Sequence, residues 1–403
     1  MTQPSLSLFP ELQPAQKTYQ LRDYQQKAVD AAVSFFQDKR KKGKNGVIVL
    51  PTGAGKSLVI ANIAIQLGEP VLIFQPSKEI LEQNHEKLCS YGIANVGIFS
   101  ASFNKQEVRR ITFATIGSVK SKKDYFRKFR YCIIDECHQV NAEAGMYKDF
   151  IETTGCKVIG LTATPYRLHS SQAYGSMLRF ITRTNPRIFN ELLYHVDPRD
   201  LLARGFLAQM EYYQLQVVDT SKVKLNTTGA EFSDKSLRSY YRKIKYKDSL
   251  ENVIQRLINA GRESILVFTR FVEEAEFIVK KINAPAAVVT GETSKSERER
   301  ILADFKAKKI NVVTNVGVLT TGFDFPELAT VVLARPTMSL ALYYQMCGRA
   351  IRPYKDKTSW IVDLCGNYKR FGRVEELTLQ QTTTGLWSVN SGARQLTNVW
   401  FTK

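Results

Sequence analysis

The sequence predicts an α/β chain built as two doubly wound domains in tandem. Short β-branched runs alternate with helical stretches, which suits parallel strands covered on both faces. The alternation comes in two series of similar extent, over 47–162 and 264–362. The length, 403 residues, fits two or three domains at roughly 150 residues each.

Composition narrows the class. Hydrophobic residues make up 44% and charged residues 24%, enough for sizeable cores, so wholesale disorder is excluded. No apolar run reaches the roughly 18 residues of a membrane span. The opening stretch MTQPSLSLFPELQ lacks the basic and long apolar regions of a secretory leader, so the cytoplasm is the expected location. Lys and Arg number 57 against 38 Asp and Glu, a net charge of +19. Such an excess attracts polyanions, and nucleic acid is the expected partner, with plain solubility as the alternative. Cys89, Cys132, Cys137, Cys156, Cys347 and Cys365 fall at no metal-binding spacing with one another or with His85, His138, His169 and His195. Reduced thiols are expected, with no structural zinc and no disulfide.

Residues 1–18 carry Pro4, Pro10 and Pro14 and read as an irregular arm. Ala28, Val29, Ala32, Val33 and Phe36 then sit at helical spacing within 22–38. The first strand series is 47–50, 71–75, 111–115, 131–134 and 158–162; the second is 264–269, 287–290, 311–315, 330–333 and 359–362. Between them, 197–205 predicts a short helix stopped by Gly205, 226–236 a polar loop, and 239–247 (SYYRKIKYK) a basic, aromatic stretch. The expected domains are 19–194 and 195–376, the latter with a basic insertion near 220–247, followed by a polar tail over 377–403.

Residues 49–57 read VLPTGAGKS, between a strand and a helix predicted over 58–66. The N–H groups of a glycine-rich turn at a helix N-terminus cradle phosphates. Thr52, Gly53, Ala54 and Gly55 would form that cradle. Lys56 would reach the β- and γ-phosphates of ATP, and Ser57 would hold Mg²⁺. The general pattern has glycine where this chain has Leu50; here Gly53 lies inside the loop instead. Residues 131–138 read YCIIDECH, an apolar strand ending in two acids, 79 residues beyond Lys56. Asp135 would bind Mg²⁺ through water, and Glu136 would activate the attacking water. Residues 343–353 read YYQMCGRAIRP. On a helix, Arg349 and Arg352 would share a face and could reach the γ-phosphate; a solvated basic helix is the bland alternative.

As an ordered set these motifs resemble superfamily 2 helicases over residues 20–370. LRDYQ at 21–25 resembles the Q-motif region, where Gln25 would read adenine and Arg22 would pack on it. FQPSK at 74–78, TIGS at 115–118, DECH at 135–138, TATP at 162–165 and VFTR at 267–270 resemble motifs Ia, Ib, II, III and IV. Thr314–Asn315 with TTGFD at 320–324 resembles motif V, and 345–352 resembles motif VI. The spellings LRDYQQKAVDA, VIVLPTGAGKSLVIA, GLTATPYRL, LLARGFL, VLTTGFDFP and GRAIRP are similar to those of RadD-type bacterial DNA-repair helicases. The cysteine-rich region of that family is not expected here, and a phage, plasmid or mobile-element source fits.

The resemblance implies two tandem RecA-like domains, parallel sheets covered by helices, with the ATP site in the cleft between them. It implies an ATP-dependent DNA helicase or translocase on forked or branched DNA, in recombination, repair or replication. An RNA helicase or remodeller is the alternative. Gln345 joins Arg349 and Arg352 among the catalytic residues, and Gly322 and Asp324 join the nucleotide set, Asp324 contacting ribose or coupling to Arg352. Thr162 and Thr164 would link Mg²⁺ to domain closure. Nucleic-acid contacts are expected at Ser77, Lys78, Gly117, Ser118, Arg270, Gly291, Thr293 and Thr314. Small and hydroxyl side chains let phosphates approach closely. Three basic clusters, 39–44, 120–130 and 240–247, could extend the footprint. The last, with Arg242, Lys243, Lys245 and Lys247, is favoured as a duplex or junction contact, and solvated faces with core aromatics are the competing reading. Ser5 to Phe9 resembles a sliding-clamp peptide, with Leu6, Leu8 and Phe9 filling a pocket. A monomer is expected.

Overall fold

The computed structural model describes residues 20–93, 95–171, 175–320 and 322–401. The arm with Leu6, Leu8 and Phe9 lies outside them, as does Thr321. The chain forms two compact units. One runs to Pro165 and resumes over Ile181–Val196; the other takes Tyr166–Phe180 and the chain from Asp197 onward.

The first unit opens with α1 (Asp23–Gln37), which buries Ala28, Val29, Ala32 and Phe36. Its strands are β1 (Gly46–Val49), β2 (Val71–Phe74), β3 (Val96–Ser100), β4 (Lys105–Gln106), β5 (Ile111–Ala114), β6 (Tyr131–Asp135) and β7 (Lys157–Thr162). After the hairpin β8 (Tyr166–Ser171) and β9 (Gly175–Phe180), which belongs to the other unit, β10 (Glu191–His195) completes the sheet. The order is β10-β1-β7-β6-β2-β5-β3-β4, parallel throughout except β4 on β3. Strands β1, β2 and β5 are buried along their whole length, as apolar runs covered on both faces must be. Helices α2 (Lys56–Leu67), α3 (Lys78–Ser90), α4 (Ile116–Val119) and α5 (Met146–Thr154) fill the connections. Packing is tight at two glycines. A Cβ on Gly46 would lie 2.5 Å from Leu193, and one on Gly160 would lie 2.5 Å from the Cys137 sulfur and 2.8 Å from Phe189.

The second unit holds the parallel sheet β11-β16-β15-β12-β14-β13. Its strands are β11 (Gln209–Gln214), β12 (Ile265–Thr269), β13 (Ala286–Val289), β14 (Val312–Asn315), β15 (Thr330–Ala334) and β16 (Thr358–Asp363). Its helices are α6 (Pro198–Ala203), α7 (Asp234–Lys243), α8 (Tyr246–Asn259), α9 (Val272–Lys281), α10 (Lys295–Lys306), α11 (Leu340–Cys347) and α12 (Asn367–Phe371). The ten expected strands all form, each end within one residue of its predicted place.

Strands β3, β4 and β8 to β11 form where none was expected, and three larger features differ from expectation. The stretch 377–401 is folded. β17 (Leu377–Gln381), β18 (Trp387–Ser391) and β19 (Arg394–Gln395) make an antiparallel sheet, and β20 (Trp400–Phe401) pairs with β9. The hairpin β8–β9 groups with the second unit, so no single boundary near residue 194 separates the two. The basic stretch near 240–247 is the junction of α7 and α8, with Tyr241 and Tyr246 buried and stacked at 4.0 Å. Among the described residues no helix is long and apolar enough to cross a membrane. The six cysteines are free thiols, Cys89 exposed and the others buried.

Gly160→Ala should destabilise the first unit by about 1–3 kcal/mol, because neither Cys137 nor Phe189 has room to withdraw from an added methyl. Denaturant unfolding followed by circular dichroism reads this out, and an unchanged first transition would contradict the packing at this strand.

Candidate functional site

The parallel sheet of the first unit presents the C-terminal ends of β1, β7 and β6 side by side. Val49 registers with Thr162, and Asp135 with Leu161. In open parallel sheets this edge is where ligands bind. The chain leaves β1 through Leu50–Gly55 into α2. Gly53 and Gly55 have φ of 86° and 82°, the left-handed region in which glycine is at ease. The turn aims α2's free N–H groups at the loop's hollow. Ala54 is buried, and its carbonyl accepts from the Gln25 side chain at 2.9 Å and from the Tyr24 hydroxyl at 3.1 Å. Thr52 is buried beside it.

This places Gln25 differently from expectation. Its amide nitrogen is on Ala54 and its oxygen accepts from the Arg22 N–H at 3.0 Å, so both ends are held by backbone. Gln25 braces the phosphate loop from below. A Cβ on Gly55 would come within 2.5 Å of that amide nitrogen, so the brace and the glycine require each other. Arg22 is exposed, with its guanidinium 3.4 Å from the Tyr24 hydroxyl.

Lys56, the first residue of α2, points to the motif II acids and pairs with Glu136 at 3.1 Å. Glu136 has φ 49° and ψ 47°, a left-handed conformation uncommon for a side-chain-bearing residue. That twist turns its carboxylate away from the strand direction of Asp135. The other Glu136 oxygen lies 3.3 Å from His138 Nδ1, which also meets the Thr162 hydroxyl at 2.9 Å. Thr162 accepts the Thr164 N–H at 3.0 Å. Motifs I, II and III are thus joined in one polar network.

The two acids are driven apart in acidity. Burial pushes the Asp135 carboxyl up to about 7, and the Glu136 charge adds to the push. Burial acts on Glu136 in the same sense, but Lys56 and His138 outweigh it and hold Glu136 down to about 2. Neighbouring acids pushed to opposite protonation states are a hallmark of divided roles. Glu136 is held in its ionised form at neutral pH. Asp135 sits where added positive charge would stabilise its ionised form.

Asn84 of α3 escaped the sequence reading. It accepts from the Ser57 hydroxyl at 2.5 Å and donates to Asp135 at 3.3 Å, so it spans the two expected Mg²⁺ ligands. The signal was present: α3 buries Leu81, Asn84 and Leu88, and a polar residue on an otherwise apolar face needs a partner. Ser57 and Asp135 are hard oxygen donors held together by this amide, and they fit a small divalent cation.

In the second unit, motifs V and VI are clamped to one another. Arg349 donates to the Phe323 carbonyl at 2.7 Å, and Arg352 forms an ion pair with Asp324. Lys357, unforeseen in the sequence, donates to the carbonyls of Pro326, Leu328 and Ala350 at 2.7, 3.0 and 3.0 Å. The helical placement of the arginines is corrected. Helix α11 ends at Cys347, and Arg349 and Arg352 lie on the turns after Gly348. Pro353 disfavours helix at the residue before it. Gln345 is half-buried on α11, its carbonyl 3.3 Å from Arg349 Nε. Gly322 has φ 71° at the start of the motif V loop.

The expected nucleic-acid contacts divide. In the first unit Ser77 caps α3, accepting from Ile80 at 3.3 Å, and Lys78 follows it. Lys78 donates to the Ser102 carbonyl at 2.8 Å, Ser118 accepts from the Ala101 N–H at 2.9 Å, and Gly117 is exposed. One loop therefore gathers motifs Ia and Ib. In the second unit Gly291 is exposed, and Thr293 accepts the Thr290 N–H at 2.9 Å. Arg270 is paired with Asp234 at 2.7 Å. Arg242 and Lys245 are exposed. Thr314 is the exception. It is fully buried and its hydroxyl donates to the Ala275 carbonyl at 3.2 Å, so it anchors α9 and cannot meet a phosphate.

The loop, its carboxylates and the paired sheets define a nucleotide-hydrolysing motor. Residues 18–167 match the family described as "Type III restriction enzyme, res subunit", and residues 248–354 match "Helicase conserved C-terminal domain". The chain is a helicase-type ATP hydrolase with two tandem helicase domains. A "51.5 kDa protein" of a Lactococcus phage (isolate 7-9) is 26% identical over 336 residues, covering 81% of this chain and 67% of the relative. The "DNA 3'-5' translocase XPB2" of Sulfurisphaera tokodaii is 25% identical over 381 residues, 86% of this chain and 81% of the relative. The fold is shared with an ATP-dependent Type ISP restriction-modification enzyme, LlaBIII, bound to DNA, at a TM-score of 0.62 and 19% identity. That likeness covers 87% of this chain and 28% of LlaBIII.

Asn84→Ala should lower ATP turnover on the order of tenfold without unfolding the chain, since about 1–3 kcal/mol rides on a buried polar bridge. Steady-state hydrolysis with a circular dichroism control measures it. Turnover at the native rate would remove Asn84 from the site.

Proposed function

We propose that the chain is an ATP-driven DNA translocase or helicase acting on forked or branched DNA in repair, recombination or replication, of the RadD type. The observation that carries this is the joined network Lys56–Glu136–His138–Thr162, where the phosphate-loop lysine, the base and motif III meet. Relatives named as DNA translocases and helicases, the net charge of +19 and the motif spellings support DNA as the track.

In this reading Lys56 and the loop N–H groups hold the phosphates. Glu136, ionised and aimed by His138, takes a proton from the attacking water. Ser57 and Asp135 would hold Mg²⁺, which when bound neutralises phosphate charge. Arg349 and Arg352 act on the charge that builds at the γ-phosphate. Thr162 and Thr164 carry the change of protonation and hydrogen bonding at Glu136 towards Pro165, after which the chain enters the second unit. Clamp docking through Leu6, Leu8 and Phe9, a monomeric state and a nucleoid-associated cytoplasmic location belong to the same reading.

Glu136→Gln should bind ATP and lose turnover by roughly 10²–10⁴-fold, the range of a lost general base. Near-native hydrolysis would sink the site assignment. ATP turnover measured with no nucleic acid, single-stranded DNA, duplex, forked and four-way DNA, and matched RNA tests the track. Strongest stimulation by branched DNA is expected; stimulation by RNA alone would make the chain an RNA remodeller.

A further inference from the structure

Three basic clusters stand out in the sequence, and the structure separates them. In 39–44 there is no aromatic residue, and two of the cations are taken: Arg40 pairs with Asp38 and Lys41 with Glu191. In 240–247 the rings belong to the core: Tyr241 and Tyr246 are buried, and Tyr240 packs against the same cluster. Only 120–130 shows an aromatic ring to solvent. Tyr125 is 53% exposed.

The segment is built with two faces. Its backbone is a kinked 3₁₀ run, Lys120–Lys128, that continues directly from α4. Phe126 and Phe129 are fully buried. Phe126 meets Phe99 edge-on at 4.9 Å and stacks near Phe129 at 5.9 Å. These rings fix the segment to the sheet edge, so the opposite face is held in place before any ligand arrives. The segment carries Lys120, Lys122 and Lys128, all exposed and with no carboxylate in ion-pair range among the described residues; Lys122 donates to the Gln106 side chain at 2.6 Å. The local acid Asp124 is used by Arg127, and Asp149 by Lys123. The Lys128 ammonium lies 3.9 Å from the Tyr125 ring centroid. Cations without a carboxylate partner around a solvent-facing ring are the components of a single-strand platform, phosphates on the lysines and a base on the ring.

Its position is also informative. α4 holds Gly117 and Ser118, and the loop at 101–102 ties Ser118 to Lys78. The segment therefore prolongs the motif Ia and Ib contacts without a break. We infer that Lys120, Lys122, Tyr125 and Lys128 form a second nucleic-acid contact on the first unit, taking the backbone of a single strand with one base stacked on Tyr125. This rests on the proposed nucleic-acid track and adds a place where unpaired DNA is gripped.

The test uses the full chain and a fluorescent single-stranded oligonucleotide titrated over a salt series. K120Q/K122Q/K128Q should make the slope of log affinity against log salt shallower by about 2, three phosphates at roughly 0.7 each. Tyr125→Ala should weaken single-strand binding by about tenfold and leave blunt duplex unaffected, and Tyr125→Trp should restore it. K39Q/K42Q/K44Q serves as the comparison and should change neither. ATP turnover without nucleic acid should be native in every variant, which reports folding. Native affinity and slope in K120Q/K122Q/K128Q would overturn this surface alone. If the unaltered protein ignores single strands, duplex and RNA alike, the nucleic-acid track itself fails, and this surface with it.

Discussion

The pairing of Lys56 with Glu136 is the contact on which the first unit depends. It requires a lysine at the first residue of α2 and an acid one residue past the end of β6, two strands away in the sheet. Everything between is constrained by it. Gly160 must be glycine so that Cys137, next to Glu136, can pack against β7. Glu136 must take a left-handed turn to leave the strand. Strained backbone of this kind is kept where the surroundings over-determine it, and here a buried strand, a lysine and a histidine do so. The result is an ionised carboxylate in a largely buried site, beside an aspartate whose own ionisation burial disfavours.

The second unit solves a different problem. Its arginines must be presented from turns, which are softer than helices. The solution is cross-bracing by main-chain carbonyls. Arg349 and Lys357 together engage five carbonyls, of Phe323, Gln345, Pro326, Leu328 and Ala350, so that motif V and motif VI form one body. Lys357 is largely buried and desolvation lowers its pKa to about 8, but three carbonyl acceptors satisfy its three N–H donors. A rigid mount of this kind preserves the separation of Arg349 and Arg352.

Much of this was legible in the residues themselves. Parallel strands buried on both faces leave continuous Val and Ile runs, and ten strands were legible this way, though the buried strand β3 was not. The phosphate loop and motif II are local, so spacing alone singled out Lys56, Ser57, Asp135 and Glu136, which the fold brings together. Besides β3, whose Gly97 and Ser100 interrupt its apolar run, what escaped was long-range or exposed. Asn84 reaches Asp135 across 51 residues of sequence, and no local pattern encodes that. Strands β11 and β17 to β20 are short, edge-placed or half-polar, with the periodicity of neither a core strand nor a helix. Thr314 and the tyrosines of α7 and α8 show the converse error: hydroxyls and aromatics beside basic residues look like ligand contacts until their burial is known. Gln25 shows a third kind, where the structure adds partners on the protein's own backbone, the Ala54 carbonyl and the Arg22 N–H, that the sequence did not suggest.

The path of the chain has a practical consequence. It leaves the first unit at Pro165, returns at Ile181 and leaves again at Val196. β10 lies next to β1, the strand that carries the phosphate loop, whereas the β8–β9 hairpin finds its remaining partner strand only at Trp400 and Phe401. No single cut therefore yields a whole domain. A fragment stopped at Pro165 lacks the edge strand beside its own phosphate loop, and one continued to Val196 carries a hairpin whose third strand is two hundred residues further on. The two units are sewn rather than strung: the chain passes from the first to the second, back, and out again.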